Sequence, residues 1–103
     1  MKIEFKNKNL LKLYAEGKSG KYKLPATIQK KFFMRVQQLE AANTIHDLMI
    51  TASLKFERLK RYENRYSIRI NEAYRLEFEI EWEDKHCTKG VVIILDISKH
   101  YGD

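Results

Sequence analysis

Between Tyr74 and Glu83 the chain alternates without a break. Tyr74, Leu76, Phe78, Ile80 and Trp82 are separated one by one by Arg75, Glu77, Glu79, Glu81 and Glu83. Side chains on a strand point alternately to its two faces, so this period of two predicts a half-buried antiparallel strand. Just before it, Tyr66, Ile68 and Ile70 alternate with Arg65, Ser67 and Arg69. The two runs are joined by Asn71-Glu72-Ala73, and their apolar residues must share a face. A three-residue loop that pairs Ile70 with Tyr74 satisfies this, whereas a two-residue loop would put them on opposite faces. In the favoured register Arg69 lies directly opposite Arg75. Like charges in that position repel unless something negative lies beside or between them.

The rest of the chain supplies layers for such a hairpin. Residues 54 to 59 read as a further strand. Asp84 to Gly90 form a polar turn into Val91-Val92-Ile93-Ile94-Leu95, which is apolar on both faces and so predicts a central strand. From Asp96 the chain Ile97-Ser98-Lys99-His100-Tyr101 is expected to carry polar groups out of the sheet. In the first half the period is helical. Asn9 is placed to cap a short helix bearing Leu10, Leu11, Leu13 and Tyr14, and Gly17 suits its end. Gly17, Gly20 and Pro25 mark a loop. Beyond it, Ile28, Phe32, Val36 and Leu39 form one buried stripe on a helix from Pro25 to about Ala42, leaving Gln29, Lys30, Lys31, Arg35 and Gln38 off that stripe. Asn43 or Thr44 caps a last short turn through Ile45, Leu48 and Met49. The expectation is one α+β domain over residues 1–103, with N-terminal helices on one face of a mostly antiparallel sheet of four to five strands. The uncovered face would display Arg65, Ser67, Arg69, Arg75 and Glu77.

Charge narrows the function. The 20 Lys and Arg against 14 Asp and Glu give a net charge of +6, unevenly spread. Residues 1–35 carry ten basic and two acidic side chains and residues 54–75 seven and three, while residues 76–96 hold two basic against six acidic. Two basic blocks flanking an acidic one suit a polyanion, because each phosphate neutralised releases condensed counterions; solvated lysine faces are the plain alternative. Arg69 and Arg75 are either neutralised by Glu77 and Glu79 in a surface ladder or grip a phosphate between two guanidiniums. Lys60, Arg61 and Arg65, interleaved with Tyr62 and Tyr66, have the composition that suits single-stranded RNA, in which bases stack on rings while cations hold the backbone.

Several chemistries are disfavoured. The single cysteine, Cys87, excludes an internal disulfide. His46, His86 and His100 have no partners at metal-ligand spacing beyond the adjacent His86-Cys87, so no metal is expected. No glycine-rich phosphate loop, nucleophile elbow or other cofactor motif is present. The longest aliphatic run is five residues, far short of the ~20 that span a bilayer, and the first residues lack the apolar stretch of a secretory signal. A cytoplasmic protein is expected. His46 and His86 read as exposed and idle. His100, beside Tyr101 after the central strand, could bring two proton-transfer groups to the basic face.

Leu59-Lys60, Tyr66-Ser67-Ile68-Arg69-Ile70-Asn71, Tyr74-Arg75-Leu76-Glu77-Phe78 and Ile94-Leu95-Asp96-Ile97 with His100-Tyr101 together resemble the HigB branch of the RelE/ParE toxin superfamily. The Leu-Leu-Lys-Leu-Tyr segment, the Gly17 to Pro25 loop and the long helix fit as well, so the likeness extends from about Phe5 to Tyr101. The resemblance implies a metal-independent, ribosome-dependent mRNA endoribonuclease of a type II toxin-antitoxin system, inhibited in a hetero-oligomer by a HigA-type helix-turn-helix antitoxin. It implies that Lys60, Arg75, His100 and Tyr101 are catalytic and that Arg61, Arg65, Arg69 and Tyr66 bind RNA. Two departures stand out: Glu57 is the nearest residue to the place where a histidine often precedes the Leu-Lys, and the terminal His-Tyr order is reversed from some members. The competing class is a non-enzymatic ParE-like toxin or a nucleic-acid or partner-binding module.

Overall fold

A computed structural model describes residues 1–99. The chain runs β1 (Ile3–Phe5), α1 (Lys8–Glu16), α2 (Ala26–Ala41), α3 (Ile45–Ile50), a 3-10 turn (Ala52–Leu54), β2 (Glu57–Arg58), β3 (Tyr66–Arg69), β4 (Tyr74–Trp82) and β5 (Gly90–Lys99). The five strands form one sheet in the order β1-β5-β4-β3-β2. All neighbouring pairs are antiparallel except β1 and β5, which run parallel. The α+β class therefore stands, with two additions. The chain opens on a strand rather than a helix, and the sheet is mixed; three residues at Ile3–Phe5 are too few to announce themselves by periodicity.

The hairpin adopts the register that parity requires. Arg69 pairs with Arg75 and Tyr66 with Phe78, and the Ile70 N–H donates to the Tyr74 carbonyl at 2.9 Å. The Asn71 side chain closes the loop, its Oδ1 accepting from the backbone N–H groups of Ala73 and Tyr74 as asparagine does in tight turns. Ile68, Ile70, Leu76, Phe78, Ile80, Val92 and Ile94 are fully buried on one face, where Leu10 and Leu13 of α1, Phe32, Val36 and Leu39 of α2, and Leu48 of α3 pack against them. The long helix thus buries three of its four expected residues completely, with Ile28 half-buried at its first turn.

Helix ends follow local chemistry. Asn7, not Asn9, caps α1: its Oδ1 accepts from the N–H groups of Asn9 and Leu10, and Gly17 closes the helix at φ 77°. Thr44 and Asp47 form a reciprocal capping box on α3, where the two backbone hydrogen bonds hold the Asp47 carboxyl below its usual range. The expected strand over residues 54 to 59 is mostly replaced by the 3-10 turn and by Lys55 in the left-handed region (φ 47°, ψ 48°), leaving β2 only two residues.

The last strand departs from expectation in a useful way. Asp96 to Lys99 stay in the sheet, and the β4–β5 ladder shifts register, pairing Glu77 with Asp96 but Phe78 with Ile94. Leu95 is the extra residue of a β-bulge. One inserted residue reverses parity, so Ile94 and Ile97 share the core face while Asp96 and Ser98 join Glu77 and Arg75 on the other. The bulge is tied to the first half of the chain. Asn7 Nδ2 donates to the Leu95 carbonyl at 3.1 Å and to the Tyr22 hydroxyl at 2.8 Å, and that hydroxyl donates to Asp96 Oδ1 at 2.7 Å.

Burial, then the Asp96 carboxylate, push the Tyr22 phenol up to about 12, with Asn7 acting in the opposite sense. A folded-state value above the ordinary 10 contributes stability that is complete below pH ~10 and lost as pH rises toward ~12. Tyr22→Phe is therefore expected to flatten the stability profile between those values, read from urea midpoints across alkaline pH. Asn7→Ala removes both the helix cap and the tie to Leu95, and should cost about 2 kcal/mol in urea unfolding with little change in slope.

Candidate nucleic-acid cleft

The sheet face away from the helices is not open in the way the alternation alone suggests. Ser67 is 1% exposed and Arg75 7%, because the segment that follows the 3-10 turn curls over this side. That segment is held by the Leu59 N–H donating to the Arg65 carbonyl at 2.8 Å and by Asn64 Nδ2 donating to the Ile80 carbonyl at 2.9 Å. It walls a cleft of about 300 Å³ whose polar lining includes Glu57, Lys60, Arg61, Arg75, Ser98 and Lys99. Residues far apart in sequence meet there through two pairings, Glu57 with Ser67 and Arg75 with Ser98.

Arg75 is the floor of the cleft. Its Nε donates to Ser67 Oγ at 2.8 Å, and its Nη2 donates to the Lys55 carbonyl and to the Ser67 carbonyl, the latter at 3.3 Å. The Lys55 carbonyl is offered from a left-handed residue, a conformation that costs roughly 1 kcal/mol for a non-glycine residue. Glu57 Oε1 lies 3.6 Å from Arg75 Nε, but the Glu57 side chain is 50% exposed. Burial pushes the Arg75 guanidinium below its usual value; Glu57 pulls it back, Arg69 lowers it further and Glu77 raises it. In plain terms, a desolvated cation is held here with incomplete neutralisation, while Nη1 takes no partner among the described residues.

The carboxylates sort themselves differently from the ladder considered above. Glu77 pairs with Arg65 at 2.8 Å rather than with Arg69 or Arg75. Among the described residues Arg69 reaches only Glu72, at 3.7 Å, and that glutamate is 94% exposed. A pair so wet is worth little.

Of the residues singled out in the sequence, Lys60, Arg61 and Arg75 line the cleft together. Arg65 stands beside it, its guanidinium 4.6 Å from the centre of the Tyr62 ring and its Nε on Glu77. Arg69 opposes Arg75 on the same face but lines a neighbouring hollow. Tyr66 lies apart from the cleft, half-buried. Because it pairs with Phe78, it points to the core side, stacked on Phe56 at 5.7 Å and edge-on to Trp82 at 6.1 Å. Its parity with Ile68 and Ile70 carried that signal. The aromatic ring of the cleft is instead Tyr62, 40% exposed. His100 and Tyr101 lie outside the described residues. His46 and His86 are exposed. Sequence reading gave no chemical role to Lys99 or Ser98, which only the bulge and the continued strand bring here. Among the described residues no three His, Cys, Asp or Glu side chains gather as metal ligands.

Helices on one side of a mixed five-stranded sheet and a cationic cleft on the other make a small α+β protein whose architecture is consistent with the RelE-like toxins. The chain belongs to the HigB-like toxin family: the family model, described as the RelE-like toxin of the type II toxin-antitoxin system HigB, matches residues 3–93. Toxin HigB-1 of Vibrio cholerae serotype O1 is 35% identical over 85 residues, covering 82% of this chain and 86% of that protein. The protein is thus the toxin of a type II toxin-antitoxin pair, and an antitoxin is its partner. Among the described residues no helix is long and apolar enough to cross a membrane.

If Ser67 positions Arg75, Ser67→Ala leaves a buried Nε without its best acceptor and should cost about 1–3 kcal/mol. Thermal or urea unfolding measures it. A cost no larger than that of an exposed serine would mean that Glu57 closes in and takes over.

Proposed function

We propose that this toxin is a ribosome-dependent mRNA endoribonuclease acting in the cytoplasm, restrained by a HigA-type helix-turn-helix antitoxin in a hetero-oligomer, and that its active site is the cleft floored by Arg75. One observation carries the reading. A buried guanidinium with a spare edge shares a pocket with Lys60, Arg61 and Lys99 and with an exposed tyrosine ring, a set suited to a ribose-phosphate linkage with an unstacked base. The family membership and the two basic blocks support it.

The chemistry is intramolecular. The ribose 2′-oxygen attacks the adjacent phosphorus and loses its proton to a base. The bond from phosphorus to the 5′-oxygen breaks, that oxygen takes a proton, and a 2′,3′-cyclic phosphate remains opposite a 5′-hydroxyl. Negative charge grows on the equatorial phosphate oxygens, where Arg75, with Arg69 behind it, stabilises it from a site that has already met the cost of desolvation. Lys60 or His100 moves the proton from the 2′-hydroxyl, and Tyr101 stacks on the base or protonates the leaving oxygen. Arg61 and Arg65 hold the backbone, and Tyr62 replaces Tyr66 as the stacking ring. With cations of the chain itself neutralising the phosphate, no metal is required. The ribosome's part is to position the message, which supplies rate by fixing the near-attack geometry.

Expression without antitoxin is expected to arrest translation and to create new message 5′ ends that depend on the ribosome. Arg75→Ala should lower cleavage by roughly a hundredfold or more. Since Arg75 also braces Ser67 and Lys55, the exposed Lys60→Ala is the companion that least disturbs the fold, and a His100/Tyr101 double alanine variant tests the two terminal groups. Undiminished toxicity in all three would remove the cleft as the active site. Growth arrest without new 5′ ends would instead favour a non-enzymatic toxin.

A further inference from the structure

A second cationic hollow, of about 500 Å³, lies between α2 and the β3–β4 turn. Lys31, Arg35, Ser53, Arg69, Asn71 and Glu72 line it. Lys31 and Arg35 are four residues apart on α2, so they project from one side of the helix, off the stripe made by Phe32, Val36 and Leu39. Like charges at that spacing weaken a helix, and neither residue has an ion-pair partner among the described residues. Arg35 Nη1 donates to Gln38 Oε1 at 2.8 Å, but its Nε is buried with no hydrogen-bond partner among the described residues. Burial first, and then the Arg69 charge, push the Arg35 guanidinium below its usual value. Among the described residues the one carboxylate lining the hollow is Glu72, almost fully exposed and 3.7 Å from Arg69. Three cations from two separate parts of the fold therefore converge with an orphan donor and almost no counter-charge. This arrangement opposes folding and is relieved by an anion.

We propose that this hollow is a second phosphate-binding site, which holds a phosphodiester of RNA beyond the catalytic cleft. The proposal rests on the reading of the protein as an RNA-cleaving toxin and extends its contact with RNA. Arg69 connects the two sites, since it faces Arg75 across the hairpin on the same side of the sheet and also lines the hollow with Arg35. A polynucleotide backbone, with regularly spaced charges, can follow such a track from Lys60 and Arg75 over Arg69 to Arg35 and Lys31. The phosphodiester belongs either to the message or to ribosomal RNA.

The test uses the full chain and a Lys31→Gln/Arg35→Gln double variant, with Lys31→Gln alone as the variant least able to disturb packing. Because the substitutions remove repulsion and an unpartnered guanidinium, the double variant should melt at or above the temperature of the wild type. Binding is measured against salt for two probes, a short labelled single-stranded oligoribonucleotide and purified bacterial ribosomes without message. Loss of two phosphate contacts should make the slope of log affinity on log salt shallower by about 1.4, and weaken binding on the order of tenfold at low salt. A change with the oligoribonucleotide assigns the site to message, and a change with ribosomes alone assigns it to ribosomal RNA. Slopes unchanged for both probes overturn the proposal. Failure of the cleavage reading is separate: it shows as missing ribosome-dependent 5′ ends from the wild type, whatever the salt slopes do.

Discussion

The guanidinium of Arg75 is a full positive charge placed under the polar face of a sheet, and much of the molecule can be understood as the means of holding it there. An isolated buried cation is prohibitively unfavourable. Ser67 supplies a hydroxyl and a carbonyl, Lys55 supplies a second carbonyl by adopting a left-handed backbone, and Glu57 leans in from the wet side without closing a tight pair. These partners satisfy Nε and Nη2. They leave the charge itself only partly compensated, which is what distinguishes a site for an anion from a structural ion pair.

The acidic residues show the same division. Glu77 is engaged by Arg65 at hydrogen-bond distance, so its charge is shared with that guanidinium and offsets Arg75 only from a distance. Asp96 is engaged by Tyr22, which keeps a carboxylate near the cleft occupied with a neutral donor. The positive potential of the cleft thus survives in a face that carries several carboxylates, because Glu77 and Asp96 are engaged elsewhere and Glu57 stays half-exposed without a close pair. Arg69, whose ion-pair partner among the described residues is only a solvent-exposed glutamate at 3.7 Å, extends that potential toward α2.

Much of the fold was legible in the residues. Strict alternation over residues 74 to 83 and the odd loop at Asn71 point to the hairpin and the Arg69–Arg75 opposition, since a one-residue slip would turn Ile68 and Ile70 to water. The long helix followed from Ile28, Phe32, Val36 and Leu39. Other features left no local trace. β1 is three residues long and gains its strand pairing only from a parallel neighbour some ninety positions later. The bulge at Leu95 sits in an apolar run where both parities look alike, so the placement of Asp96 and Ser98 could not be read. The cations around Tyr66 suggest stacking on RNA, whereas its parity with Ile68 turns the ring toward Phe56 and Trp82.

The amino-acid sequence by itself determined the alternation that makes a two-faced sheet, the helices that cover one face and the surplus of cations on the other, because these depend on period and charge within short windows. Tertiary structure alone decided which cations converge. Lys60 and Arg75 meet across a curled segment, Lys99 arrives through a parity change, and Arg35 and Arg69 confront each other from separate layers. Such distances are set by packing between elements, and packing sums over partners that no local stretch of sequence contains.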